Sequence, residues 1–470
     1  MKFIYSLCLF VFFINTFAQD FSGMMSLQLD KKCEMYTSVD KNQSNVVLYF
    51  KDNKNNKAIL LDSNTSFVDS LSIKNSLHFD KIITDNTFNK VSKIVLANSK
   101  LNFFKMEIFD FNSKTISEKT FSIDINTKNI LQIFFHNNVL YILSYSKLNK
   151  NLILTSVSEE QIISEETIKI ETKDNFNFEK LGNYAYSLEK NKFPITLITE
   201  NQHIPFAQAQ VTSKAYLSNN LFIIALESNK NGTSLYSINL NNKTASYNFI
   251  NRDNAQLSLS CNSIVIDNKI YLVEQNNDNF ALTIKDFQGN VVKKLDENDL
   301  QKGKFFTEIE LGKVEEIDRK KYFKKVDTKL IAINCKKKNG NYYLNIGSVT
   351  TAKMPTTDES QMSYMQIGAL SGGLIGGLIG ALIDSSTNDT DISVNSEMVK
   401  NGQTFCQLVL DENFNVVEST KKDFAHTKLK KQVVNSESFT IPSIFYMNDT
   451  YYLGYYKYKE KRYFFKKFID

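Results

Sequence analysis

Short runs of β-branched and aromatic residues, each entered from a polar residue that is most often asparagine, recur along this chain. They are Asn45-Val46-Val47-Leu48, Lys93-Ile94-Val95-Leu96, Asn138-Val139-Leu140-Tyr141, Asn183-Tyr184-Ala185-Tyr186, Asn220-Leu221-Phe222-Ile223, Lys269-Ile270-Tyr271-Leu272, Asn341-Tyr342-Tyr343-Leu344 and Thr450-Tyr451-Tyr452-Leu453. Measured on Val47, Val95, Tyr141, Ala185, Phe222 and Tyr271, the first six are separated by 48, 46, 44, 37 and 49 positions. A repeat in the forties built from strand-length segments constrains the fold more than any other feature, because such units must bury their faces against one another.

The stretch Ser263 to Asp296 displays one unit most openly. Ile270 to Glu274 reads as a strand, Gln275 to Asn279 as a turn and Phe280 to Phe287 as an alternating strand. Gln288-Gly289-Asn290 then turns into Val291 to Leu295. This is an antiparallel meander. A meander exposes two faces and two edges, and radial packing buries the faces while leaving short edges. With 36 Phe and 22 Tyr available to fill wedge-shaped spaces, the expected fold is all-β, an irregular β-propeller of seven or eight blade-like units. β-Sandwich domains are the alternative.

Two intervals break the rhythm. Tyr271 to Tyr343 spans 72 positions and includes the charged segment Thr307 to Val326, which reads equally as a short helix or a long hairpin. Tyr343 to Tyr452 spans 109 positions. There, Tyr342 to Thr350 and Gln403 to Asp411 read as neighbouring strands, so about fifty residues, 351–401, are expected to sit in the turn of one hairpin, where insertions are tolerated. The expected organisation is a signal peptide over 1–18, blades over 19–350, a glycine-rich helical insertion over 351–401 and closing blades over 402–470.

The insertion carries the most unusual pattern in the chain. Gly368 to Ile383 reads GALS GGLI GGLI GALI, and six of the 16 glycines lie between Gly368 and Gly380. On a helix, Gly368, Gly372, Gly376 and Gly380 form one stripe, with Gly373 and Gly377 beside it. Leu370, Leu374, Leu378 and Leu382 form the opposite ridge. Glycine costs about 0.8–1 kcal/mol per residue in a water-exposed helix, so such a stripe calls for close packing or an apolar solvent. It resembles a glycine zipper, which implies membrane contact through 360–383 or self-association. A single membrane span is disfavoured, because it would place two halves of one sheet on opposite sides of a bilayer.

Met1 to Ala18, with Lys2 before the apolar run Phe3 to Phe13, reads as a cleaved secretory signal. The expected location is therefore outside the cytoplasm: periplasm, outer envelope or extracellular. The net charge of +5 falls to +4 once Lys2 leaves, too weak a bias to argue for nucleic acid. Basic clusters such as Lys336-Lys337-Lys338 read as solvated strand faces and turns. Four cysteines, Cys33, Cys261, Cys335 and Cys406, follow the signal, three of them in apolar runs that suit buried free thiols.

Four scattered histidines, no metal-ligand spacing and no nucleophile motif leave no catalytic, cofactor or metal site to assign. The carboxylate pairs Glu159-Glu160, Glu165-Glu166 and Glu315-Glu316 say nothing about convergence across a cleft. The expectation is a non-catalytic binding or structural protein of the cell envelope with a protein or glycan partner. A secreted polysaccharide hydrolase or lyase is the alternative, and acidic residues facing each other in a channel would favour it.

Overall fold

The computed structural model describes residues 21–29, 33–76, 78–79, 81–158, 162–170, 178–181, 193–198, 204, 206–229, 231–253, 260–295, 297–310, 313–327, 331–351, 401–418, 425–434 and 440–469. Among them, 31 strands form seven sheets, the blades of a β-propeller. Strand β1 (Phe21–Ser26) is set apart and returns in the last blade. Blade 1 comprises β2 (Glu34–Val39), β3 (Asn45–Lys51), β4 (Asn55–Asp62) and β5 (Phe67–Lys74). Blade 2 comprises β6 (Lys81–Phe88), β7 (Val91–Ala97), β8 (Phe103–Asp110) and β9 (Thr115–Ser122), and blade 3 β10 (Lys128–His136), β11 (Val139–Ser146), β12 (Leu152–Val157) and β13 (Ile162–Ile168). Blade 4 adds a short inner strand, β14 (Thr196–Ile198), to β15 (Ser213–Ser218), β16 (Leu221–Asn229), β17 (Gly232–Asn239) and β18 (Ala245–Asn251). A four-residue helix, α1 (Phe206–Ala209), lies between β14 and β15. Blade 5 comprises β19 (Ser260–Ile266), β20 (Lys269–Gln275), β21 (Phe280–Asp286) and β22 (Val291–Lys294).

Blade 6 is entered from its rim. After helix α2 (Glu297–Gln301), the chain lays down the outer hairpin β23 (Lys304–Glu310) and β24 (Lys313–Ile317). Helix α3 (Arg319–Lys325) then leads to the innermost strand β25 (Ala332–Lys338), followed by β26 (Asn341–Thr351) and β27 (Asn401–Leu410). The short β28 (Val416–Val417) shares the outer edge of β27 with β23. The charged segment before β25 is thus both a hairpin and a helix. Helix α4 (Ala425–Val434) precedes blade 7, which is β29 (Thr440–Met447), β30 (Thr450–Lys457) and β31 (Arg462–Ile469), with β1 as its outer strand. Five pairings from Phe21↔Lys466 to Ser26↔Arg462 close the ring with the chain's two ends. Tyr456 Oη donates to Leu27 O at 2.7 Å behind the closure.

The recurrent sequence runs mark the second strand of every blade: β3, β7, β11, β16, β20, β26 and β30. These strands are buried on both faces, β3 along its whole length, whereas the outer strands β5 and β9 are mostly exposed. That difference explains unbroken apolar runs in one and alternation in the other. The runs closely follow two-residue hairpins whose residues have positive φ: Asn89 and Lys90 (48° and 61°), Asn137 and Asn138 (45° and 64°), Asp267 and Asn268 (48° and 56°), Asn448 and Asp449 (49° and 59°). Such turns match strand twist and need residues that tolerate the left-handed region, asparagine first after glycine. The run at Asn183 lies outside the described residues, and from Tyr141 to Phe222 one blade step spans 81 positions.

The same hairpins tie neighbouring blades together. Asn448 N donates to Gln43 Oε1 (2.6 Å) between blades 7 and 1, Ser38 and Thr87 hydroxyls meet at 2.6 Å between 1 and 2, and Asn86 Nδ2 donates to Asn138 Oδ1 (2.8 Å) between 2 and 3. His136 Nε2 contacts Asn220 Oδ1 (3.1 Å), Ser218 Oγ donates to Asn268 Oδ1 (3.2 Å), and Lys337 Nζ donates to Asp267 Oδ2 (2.6 Å). Lys336 and Lys338 complete the circle on Asp449, each at 3.8 Å. The lysine triplet expected to be solvated is therefore a clasp: alternate side chains reach blade 7 and blade 5. Cys261, Cys335 and Cys406 are free thiols.

Candidate functional site

The innermost strands of a propeller turn their edges toward the central axis, and unpaired backbone groups there need partners. Here the partners come from the connection between blades 3 and 4. Phe193 packs against the apolar cluster shared by blades 2 and 3, Ile195 and Leu197 join the cluster of blades 3 and 4, and Ile198, Ile204 and Phe206 enter the cluster spanning blades 4 to 6. The connection thus passes from one wall of the channel to another. Its strand β14 pairs with β15 in parallel, whereas the other strand pairs of the blades are antiparallel.

Each channel wall holds this segment by its main chain. Gln132, on the inner strand of blade 3, donates from Nε2 to Ile195 O (2.7 Å), and Ile195 N donates to Leu131 O (3.3 Å). Asn334, on the inner strand of blade 6, donates from Nδ2 to Ile204 O (2.7 Å). Asn345 Nδ2 in turn donates to Asn334 Oδ1 (3.0 Å), which fixes the orientation of that amide. In blade 4, Lys214 Nζ donates to Ala209 O (2.9 Å).

Lys214 is the charged centre of this arrangement. Its ammonium lies within 3.0 Å of four oxygens: Ala209 O, Asn262 Oδ1, Ser263 O and Glu227 Oε1. Lysine and glutamate side chains are each 1 % exposed. Glu227 Oε1 also accepts from Ser263 N (3.0 Å) and Ser263 Oγ (2.8 Å), while Oε2 has no hydrogen-bond partner among the described residues. Burial depresses the Lys214 pKa and Glu227 partly offsets it. Burial likewise pushes the nearby Cys261 thiol up to about 12, so it is no thiolate nucleophile at neutral pH.

The carboxylates singled out from sequence do not converge. Glu165 pairs with Lys128 at 2.7 Å and Glu166 faces Lys243 at 3.5 Å, both on the outer strand of blade 3. Glu315 and Glu316 lie on the exposed β24. Glu159 and Glu160 are outside the described residues, as is His203. His136 serves the hairpin circle, and burial, followed by the neighbouring Lys41 charge, lowers its pKa. The expected association residues, Gly368 to Gly380 and Leu370 to Leu382, lie within 352–400 and are also outside the described residues. What is described is their frame: β26 and β27 stay in register from Tyr342↔Leu410 to Thr351↔Asn401.

Sequence inspection did not single out Gln132, Lys214, Asn262 or Asn334. The signal was present: each is a polar residue within the mostly apolar or small-residue inner strand of blades 3 to 6, where a polar side chain requires a partner. Chemically the site binds backbone carbonyls. Among the described residues no helix is long and apolar enough to span a membrane and no group of metal-ligating side chains is found.

No protein-family model matches the sequence, and no curated protein matches it. Among solved structures, the chain is similar to the β-propeller domain of the trilobed protease from Pyrococcus furiosus (11 % identity, 67 % of this chain and 79 % of that one, TM-score 0.31). It is also similar to Hsv2 of Kluyveromyces lactis (7 % identity, 93 % and 98 %, TM-score 0.35) and to the WD40 domain of SCAP from fission yeast (9 % identity, 95 % and 87 %, TM-score 0.33). The propeller assignment stands on the strand order of the chain itself.

Proposed function

We propose that this chain is an exported, non-catalytic β-propeller of the cell envelope whose insertion at 351–401 makes a membrane contact or pairs with further copies. The observation that carries the reading is the hairpin beneath the insertion. β26 and β27 are 11 and 10 residues long, against seven or eight in the corresponding strands of blade 2, and they remain paired to Thr351↔Asn401. The paired strands hold the two ends of the insertion side by side at Thr351 and Asn401. The channel lining supports a scaffold over an enzyme, since apolar side chains of the connection, Ile198, Ile204 and Phe206, pack there in place of facing acids.

Strand direction supports removal of the leader. β1 starts on the hairpin-circle face beside the end of β31, whereas β26 runs away from that face to Thr351. A retained leader holding Phe21 at a bilayer would leave the paired ends of the insertion, Thr351 and Asn401, at the opposite face. The test is deletion of 356–395, which leaves the register of β26 and β27 intact. Loss of membrane association in cell fractionation, or a smaller assembly on sizing, is expected. Identical partitioning and size for the deleted and intact chains would refute the reading.

A further inference from the structure

We propose that the central channel is a binding site for an extended, isoleucine-rich peptide, and that residues 193–198, 204 and 206–209 are its resident occupant in cis. The inference is independent of the glycine-rich insertion. Four observations carry it. The occupant pairs as a three-residue parallel strand on the inner edge of blade 4, the β-augmentation mode of peptide capture. Its side chains alternate, Ile195 and Leu197 into the cluster of blades 3 and 4 and Ile198 into the cluster of blades 4 to 6, as a two-sided slot requires.

The donors Gln132, Lys214 and Asn334 come from three different blades and all reach main-chain carbonyls, Ile195 O, Ala209 O and Ile204 O. Donors that read carbonyls accept any main chain, so the wall is specific for an extended backbone plus apolar side chains. These donors belong to the blades, and among the described residues blades 1 and 2 close against one another without any residue of this connection. The occupant is therefore an addition to a complete set of walls, and its chemistry defines the ligand: a main chain in strand geometry with branched apolar residues at alternate positions.

The experiment replaces 193–209 of the full chain with a glycine-serine linker of equal length and adds a labelled synthetic peptide of sequence 193–209. The folded linker variant is expected to bind one peptide at least about 100-fold more tightly than the intact chain, whose own segment competes. Adding Gln132→Ala to the linker variant should weaken binding about 10-fold, the loss of one buried hydrogen bond. A folded linker variant that ignores the peptide overturns the proposal, and so does an intact chain that binds it equally well. If the linker variant does not fold alone, the peptide must restore a cooperative thermal transition and a peptide of scrambled order must not. Failure of that rescue, or rescue by the scrambled peptide, equally overturns it.

Discussion

Blades 1 to 3 and blades 4 to 7 obey the same strand rules and fill the spaces between blades differently. In the first group one blade follows another at 48 and 46 positions, measured on Val47, Val95 and Tyr141, and side chains of the sheets and their turns fill most of each wedge, joined between blades 2 and 3 by Phe193. Between blades 1 and 2, Tyr49 Oη donates to Glu107 Oε2 (2.8 Å), Asn56 Nδ2 donates to Oε1 (2.7 Å) and Lys105 lies 2.5 Å from the same oxygen. In the second group inserted elements do this work. Residues 193–198, 204 and 206–209 of one connection pack against blades 3 to 6, α3 buries Tyr322 against blades 5 and 6, and α4 packs between β24 and the strands of blade 7. A propeller tolerates irregular steps wherever an added segment replaces the contacts that the neighbouring sheet would have made.

The sharpest way to break this comparison is to remove the cation that joins the added segment to the blades. Lys214→Met leaves the Glu227 carboxylate buried with only Ser263 donating to it and frees the Ala209 carbonyl. Breaking a buried ion pair by removing one partner costs about 3–5 kcal/mol, so a loss of this size is expected in urea denaturation followed by circular dichroism. A loss below about 1 kcal/mol would mean that the channel segment is not coupled to the blades through this centre.

The regular half should answer more mildly. Tyr49→Phe removes one of three partners of Glu107, and leaving a buried carboxylate oxygen without its donor costs about 1–3 kcal/mol. Because the two sites lie at different junctions and share no partner, the double variant with Lys214→Met should show losses that add within about 0.5 kcal/mol. Clear non-additivity would show that both halves answer to one packing unit. Asn138→Ala tests the hairpin circle: forcing alanine into the left-handed region costs about 1–2 kcal/mol, while Asn138→Gly keeps the turn and loses only the bond from Asn86.

The comparison also explains what was legible in the sequence. Seven of the eight recurrent runs are second strands of blades because a two-residue turn demands asparagine-like residues and a doubly buried strand demands an unbroken apolar run, both local requirements. The run at Asn183 satisfies the same local grammar without marking any of the described blades. Phe193 to Ile198 reads as a strand on any local test, yet nothing local distinguishes a blade edge from a channel occupant. The Lys214 centre was equally hidden, since Asn262 and Ser263 lie 48 and 49 positions away and become its neighbours only when blades 4 and 5 meet.

The smallest expected effect concerns pH and belongs to the regular half. Tyr36 Oη donates to Asp85 Oδ1 at 2.5 Å across blades 1 and 2, and burial raises the Asp85 pKa although this bond and that from Ser38 oppose the shift. A carboxyl whose pKa is higher folded than unfolded binds its proton more tightly in the native state. Its contribution is therefore complete below the unfolded value and is lost as pH rises through the folded one. Asp85→Asn keeps an acceptor for Tyr36 and removes the titration. The variant should match the wild type in acid, gain stability relative to it at neutral pH, and show a flatter profile between those limits. A wild-type contribution that grows with pH across the same window would reverse the sign and identify Asp85 as an anion stabilised by its hydrogen bonds, in which case the polar contacts between blades 1 and 2 would outweigh their burial.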